Sequence, residues 1–120
     1  MDQAQRVALL GTDVLLASRL RSALSGGGVG LIEATRDDLL PPVPFLFVDL
    51  NHDLDTRIEA IARLRSRNPS ATIVGFCNHD EKALMRRAVA AGADHAVANR
   101  SLPETALRLV GHAAARDHRE

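Results

Sequence analysis

Side chains able to do chemistry are few in this sequence, and the first is an aspartate in its most apolar segment. Asp49 follows Phe45-Leu-Phe-Val, so its carboxylate should be paired with neighbouring backbone amides or with Arg100. Cys77 ends another apolar run, where a thiol could sense redox state, but no strong positive charge activates it and packing is the better interpretation. Cys77, His79 and Asp80 lack the spacing of a zinc motif. No nucleophile–base pair stands out, so the sequence does not predict an enzyme.

The glycine-rich stretch from Ser25 to Gly30 has the composition of a phosphate-binding loop. Such a loop works when it follows a strand and opens a helix, because backbone amides and the helix dipole then meet the phosphate. This stretch follows a predicted helix and leads into a strand. We therefore interpret it as the end of a helix.

Composition limits the classes of function. The 120 residues include 15 basic and 15 acidic side chains, a balance that argues against a dedicated nucleic-acid or anionic-membrane binder. One cysteine permits no internal disulfide, and no stretch reaches the roughly 18 apolar residues of a membrane span. The amino terminus lacks the pattern of a signal peptide. We expect one cytoplasmic domain over 1–120, with a core at about 6–114 and a polar tail at 115–120.

Strands and helices alternate along the chain at the short spacing typical of parallel α/β sheets. Four helices are expected, at about 13–25, 55–66, 80–91 and from Ser101, where Ser101 and Glu104 form a capping box. The strands are expected at about 6–11, 29–34, 45–50, 71–76 and 94–98. Only 36–40, enough for one helical turn before Pro41, connects the second strand to the third. The pattern predicts a five-stranded parallel sheet with helices on both faces.

In such a sheet a site lies beyond the carboxyl ends of the strands. Those positions are 11–13, 49–51, 76–78 and 98–100. Arginines 57, 63, 65 and 67 are expected mainly on the solvent side of the 55–66 helix.

Two segments resemble the receiver domain of two-component response regulators. The run from Phe45 to Leu50 is similar to the strand that holds the phosphoacceptor aspartate, and Ala90-Ala-Gly-Ala-Asp94 is similar to the entry to the fifth strand. The order and spacing of all five alternations extend the resemblance from Arg6 to about Ala114. It implies a flavodoxin-like strand order of 2-1-3-4-5, with a short or missing second helix and with Asp49 as the equivalent of the phosphoacceptor.

The other positions that the resemblance assigns to phosphoryl chemistry are altered. The two acids that join the phosphoacceptor in holding Mg²⁺ match Gly11 and Thr12, and Asp13, one residue later, is expected to cap a helix. The phosphoryl-sensing hydroxyl matches Phe76, and the aromatic switch residue matches Ala96. The ion-pairing lysine matches Asn99, beside Arg100, which could partly replace it. Mg²⁺ binding is therefore not expected, and an uncompensated pair of charges about 4 Å apart costs roughly 4 kcal/mol at a dielectric constant near 20.

We expect a degenerate receiver that acts in bacterial signalling by binding proteins, without phosphorylation, cofactor or metal. Its partner would be another signalling protein or a second copy. Receivers commonly form contacts through their fourth helix, fifth strand and fifth helix, which here correspond to the 80–91 helix, the last strand and the last helix. The candidate interface residues on that surface are Lys82, Arg86, Arg87, Asp94 and Arg108.

Two alternatives stay open. In the first, Asp49 still accepts a phosphoryl group, with Arg100 as the nearby cation. In the second, the domain binds a small ligand or acts as an enzyme on a flavodoxin-like frame.

Overall fold

The computed structural model describes residues 6–78 and 81–118, which form one parallel sheet between two layers of helices. The strands are β1 Val7–Leu10, β2 Leu31–Ala34, β3 Phe45–Asp49, β4 Thr72–Cys77 and β5 His95–Ala98. The α-helices are α1 Val14–Gly26, α2 Leu54–Arg67, α3 Lys82–Ala91 and α4 Leu102–His118, and two 3-10 turns span Asp37–Leu39 and Asn99–Ser101.

The strand order is β2-β1-β3-β4-β5 and every pair is parallel, so the predicted order is confirmed. The Asp37–Leu39 turn replaces a helix between β2 and β3, as expected. Because side chains alternate across a strand, Val7 and Leu9 face the layer of α1 and α4, whereas Ala8 and Leu10 face the layer of α2 and α3. Both faces are buried, which explains the continuous apolar runs.

The helix ends show which local predictions were right. Asp13 caps α1, since its Oδ1 accepts a hydrogen bond of 3.0 Å from the Leu16 N–H. The glycine-rich stretch ends α1, as predicted, with Gly28 at a φ of 80°. The predicted cap at Ser101 is wrong, because the Asn99–Ser101 turn runs directly into α4. The part of the predicted 80–91 helix at Asp80 lies outside the described residues.

Asp37 ties the turn between β2 and β3 to α2. Arg63 donates two hydrogen bonds of 2.9 Å to its carboxylate, and Arg67 adds a third of 3.2 Å. The hydrogen bond from Arg63 is the main cause that holds the pKa of the Asp37 carboxyl below its ordinary value of 3.8. The ion pairs stabilise the connection that leads the chain into β3.

We expect Asp37→Asn to lower the free energy of unfolding by about 1 kcal/mol at neutral pH, because it removes a bidentate pair. The carboxyl pKa is lowered in the folded state, so the stabilisation is fully present above 3.8 and disappears as the pH falls through the lower folded-state value. Urea unfolding followed by circular dichroism at several pH values measures this effect. Asp38→Asn is the control, since the salt bridge of Asp38 is to exposed Arg36. Equal losses in the two variants would contradict a special role for Asp37.

Among the described helices, none has the length and apolar character needed to cross a lipid bilayer.

Candidate functional site

Asp49 lies at the carboxyl end of β3, at the centre of the sheet, and is only 1% exposed. Its Oδ1 accepts hydrogen bonds from the backbone N–H of Asn51 (2.8 Å) and from the Asn51 side-chain amide (2.7 Å). The backbone bond forms a turn of the kind that aspartate favours after a strand. The predicted backbone-amide partner is therefore confirmed, and the pairing with Arg100 is not found among the described residues.

The amide of Asn51 extends this network to the other side of the site. Asn51 and Asn99 exchange two hydrogen bonds, each of 3.1 Å, between their side-chain amides. Asn99 occupies the position that the resemblance assigns to the ion-pairing lysine. Two neutral side-chain amides are therefore paired at the position that the resemblance assigns to a cation.

The second carboxylate oxygen of Asp49 is buried and has no hydrogen-bond partner among the described residues. It faces Gly11, where a Cβ would lie 3.2 Å from this Oδ2 and 2.7 Å from the Asp49 Cβ. The side chain of Asp49 therefore fills the space in which a side chain at position 11 would begin. Gly11 is required for the present orientation of Asp49.

Asp13 and His52 complete the polar surroundings of Asp49. One carboxylate oxygen of Asp13, one of Asp49 and an imidazole nitrogen of His52 lie within 4.8 Å of one another. The Asp13 Oδ2 is 3.9 Å from the His52 Nε2, and the His52 side chain is 55% exposed. A cleft of about 400 Å³ opens beside them, lined by Asp13, Asn51, His52, Cys77, Asn78, Glu81 and Asn99.

A buried arginine lies below the site. Arg57, from α2, is 4% exposed, and its Nη1 donates hydrogen bonds of 3.3 Å to the backbone carbonyls of Leu10 and Asp49. The expectation of a solvent-facing side chain is wrong for Arg57, because it shares the buried face of α2 with Ala60, Ile61 and Leu64. It places a positive charge at the ends of β1 and β3.

The remaining predicted site residues lie at the same edge with different surroundings. Phe76 is fully buried in the layer of α1 and α4. At the position that the resemblance assigns to a phosphoryl-sensing hydroxyl, the protein therefore has an apolar core side chain. Ala96 packs on the layer of α2 and α3. Thr12 and Arg100 are exposed, and Arg100 lines a second cleft with Asp13, Arg19 and Asn78.

All five predicted interface residues are exposed, but two of them, Asp94 and Arg87, already bind other side chains of the protein. Asp94 accepts hydrogen bonds from Arg65 (2.6 Å) and from the backbone N–H of Ile73 (2.8 Å). Arg87 pairs with Asp55 of α2 at 2.9 Å. Lys82, Arg86 and Arg108 are exposed side chains of α3 and α4.

Comparison with solved structures shows that the protein has the fold of response-regulator receiver domains. No protein-family model and no curated protein sequence matches the chain. One similar structure is a response regulator from Burkholderia pseudomallei with a phosphorylated aspartic acid, a calcium ion and citrate. It has a TM-score of 0.75 and 22% identity, over 93% of this chain and 72% of that chain.

Two further similar structures widen the comparison. A CheY-like protein, tadZ, from Pseudomonas aeruginosa has a TM-score of 0.78 and 18% identity over 91% of this chain and 98% of that chain. The beryllofluoride-activated receiver domain dimer of NtrC4 has a TM-score of 0.72 and 18% identity over 91% of this chain and 95% of that chain. At these identities the likeness establishes the fold.

The donor atoms at the site fit Mg²⁺ poorly. Mg²⁺ requires a nearly octahedral set of oxygen ligands. Gly11 and Thr12 supply no carboxylate, Asp13 offers only its Oδ2 because Oδ1 caps α1, and the third donor near Asp49 is an imidazole nitrogen. The poor fit to Mg²⁺ therefore follows from the kinds of residue at the site.

The sequence analysis missed the roles of Asn51, His52 and Arg57. The rule that sites collect at strand ends placed Asn51 among the strand-end positions without giving it a partner, and extending it to His52, three residues after β3, could have identified that side chain too. Arg57 lies three, four and seven residues before Ala60, Ile61 and Leu64, which is the spacing of one helix face.

Proposed function

We propose that this chain is a regulatory interaction module, not an enzyme, that acts in bacterial signalling in the cytoplasm without phosphorylation of Asp49. The observation that carries the proposal is the amide network at Asp49. Asn51 holds one carboxylate oxygen and is itself paired with Asn99, at the position expected for a cation. A phosphoryl group on Asp49 would meet amides where it needs positive charge.

The altered positions act together against a phosphorylation switch. A phosphoryl group adds close to two negative charges, beside an Asp13 carboxylate that is already close to Asp49. Phe76 provides no hydroxyl to follow the phosphoryl oxygens, and Ala96 has no ring whose rotation could report the change on the surface. We therefore propose that Mg²⁺ and phosphoryl groups are not part of the function.

The proposed partner is another signalling protein or a second copy, bound at the surface of α3, β5 and α4. Val89 and Leu107, which are 51% and 46% exposed, add apolar area to the charged side chains of α3 and α4. Such a mixture of apolar and arginine side chains suits a protein interface. The NtrC4 receiver, a dimer in its solved structure, supports self-association as one form of this proposal.

The test adds Mg²⁺ and beryllofluoride, a phosphoryl mimic, to the protein. We expect no shift of the backbone amide signals near Asp49 in ¹H–¹⁵N NMR spectra, and no change of sedimentation coefficient, because the site lacks the groups that hold the mimic. Asp49→Asn is the matched control. Shifts centred on Asp49 that vanish in Asp49→Asn would overturn the proposal.

A second candidate is a receiver that is phosphorylated on Asp49 by an atypical route. It is favoured by the Oδ2 of Asp49, which has no hydrogen-bond partner among the described residues. To attack a phosphoryl donor, this buried oxygen would have to turn away from Gly11. Arg100 would then supply the nearby cation. Incorporation of phosphate from acetyl phosphate that is lost in Asp49→Asn would establish this alternative.

A further inference from the structure

We propose that Asp13, Asp49 and His52 form a binding site for a divalent transition metal of the Zn²⁺ and Co²⁺ class. This site would replace the all-oxygen Mg²⁺ site that the fold implies. The proposal does not depend on the proposed function, because a module that binds proteins without phosphorylation can carry such a metal or lack it.

The first observation is the unsatisfied oxygen of Asp49. A buried carboxylate oxygen is normally paired, since removing it from water without a partner costs free energy. Oδ2 of Asp49 has no partner among the described residues, in a side chain that is 1% exposed. It faces the turn after β1, on which Asp13 stands. A bound cation would satisfy this oxygen.

The second observation is the arrangement of the three donors. Their ligand atoms lie within 4.8 Å of one another, and Asp13 Oδ2 is 3.9 Å from His52 Nε2. Two donors bonded at about 2.1 Å to one ion can be at most about 4.2 Å apart. A pair near the 4.8 Å limit must therefore close by about 0.6 Å before all three donors can bind a single ion.

The kind of donor selects the kind of metal. An imidazole nitrogen suits zinc and its transition-metal neighbours, whereas Mg²⁺ favours carboxylates and water. A site with three protein ligands also leaves at least one position open to water or to a partner's side chain. The buried guanidinium of Arg57, which donates to the backbone carbonyl of Asp49, adds a positive charge near the site and so disfavours very tight cation binding.

The experiment is a titration of the full chain, free of any affinity tag, with Zn²⁺ and separately with Mg²⁺. Isothermal titration calorimetry gives stoichiometry and affinity, and the ¹⁵N signals of the His52 ring show whether its nitrogen is a ligand. We expect one Zn²⁺ per chain, a shift of the His52 ring signals, and at least about tenfold weaker binding of Mg²⁺.

Three variants remove one donor each. His52→Ala removes an exposed side chain and leaves the fold intact. Asp49→Asn removes the buried charge. Asp13→Asn removes the other charge and keeps the helix cap, since asparagine caps as well as aspartate. Each should weaken Zn²⁺ binding at least about tenfold, because even outer groups around a metal site contribute that much.

His95→Ala is the matched control, because His95 is exposed at the opposite end of its strand and should leave Zn²⁺ affinity unchanged. Absence of Zn²⁺ binding would overturn the proposal. So would binding that survives His52→Ala, which would place the metal elsewhere in the chain. Equal binding of Mg²⁺ and Zn²⁺ without a shift at His52 would also overturn it, in favour of an all-oxygen site.

Discussion

Replacing Arg57 by methionine is expected to lower the free energy of unfolding by about 3 kcal/mol. The guanidinium group donates to the backbone carbonyls of Leu10 and Asp49, at the ends of the two central strands. Methionine keeps most of the aliphatic volume but leaves both carbonyls without this donor in a buried place. Hydrogen bonds from a charged group contribute about 1.5–3 kcal/mol each, and at 3.3 Å these two belong at the lower end.

Urea unfolding measures the effect, followed by far-ultraviolet circular dichroism because the chain contains no tryptophan or tyrosine. Arg86→Met makes the same chemical change on the exposed surface of α3 and should alter stability by less than about 0.5 kcal/mol. If the two variants lose the same stability, the guanidinium of Arg57 does not hold the strand ends together.

Gly11→Ala is expected to lower the free energy of unfolding by about 1–3 kcal/mol, the usual cost of overpacking a closely packed place. The new methyl group would lie 2.7 Å from the Cβ of Asp49, closer than two such atoms can approach. Either β1 or the Asp49 side chain must shift. The hydrogen bonds between Asn51 and Asp49 should then change, which the amide signal of Asn51 reports in NMR spectra.

Gly30→Ala is the matched control, because a Cβ at Gly30 meets nothing within 4 Å. It should leave stability unchanged or raise it slightly, since alanine restricts the unfolded chain more than glycine does. If Gly11→Ala and Gly30→Ala change the free energy of unfolding equally, Asp49 moves aside for the new methyl group without loss of stability.

The close approach of Gly11 to Asp49 also limits what a substitution at position 11 can achieve. Restoring an acid at position 11 cannot by itself rebuild a Mg²⁺ site, because Asp49 occupies the space where the new side chain would start. Asn51 and Asn99 also hold the opposite oxygen of Asp49 in place. If Asp49 is not phosphorylated, as we propose, we expect several simultaneous substitutions to be needed to make it a phosphoacceptor.

The amino-acid sequence by itself determined the architecture. Short continuous apolar runs such as 45–50, bounded by turn residues, are typical of strands covered on both faces, and the short helical crossovers between them favour parallel pairing. Asp13 and the glycines after Ser25 mark the ends of α1 through local chemistry, so they too could be predicted. The residue types at the strand ends, such as Gly11, Phe76 and Asn99, are likewise read directly from the sequence.

The tertiary structure alone decided which groups touch Asp49. Asn99 lies 48 residues beyond Asn51, and its pairing follows from the positions of β3 and β5 in the sheet. Side-chain directions in three dimensions likewise decide the burial of Arg57 and the approach of His52 to Asp13. They also leave Oδ2 of Asp49 without a partner among the described residues. Local propensity fixes strands and turns because it acts over a few residues, whereas a site is assembled by packing between distant segments, whose geometry no local pattern contains.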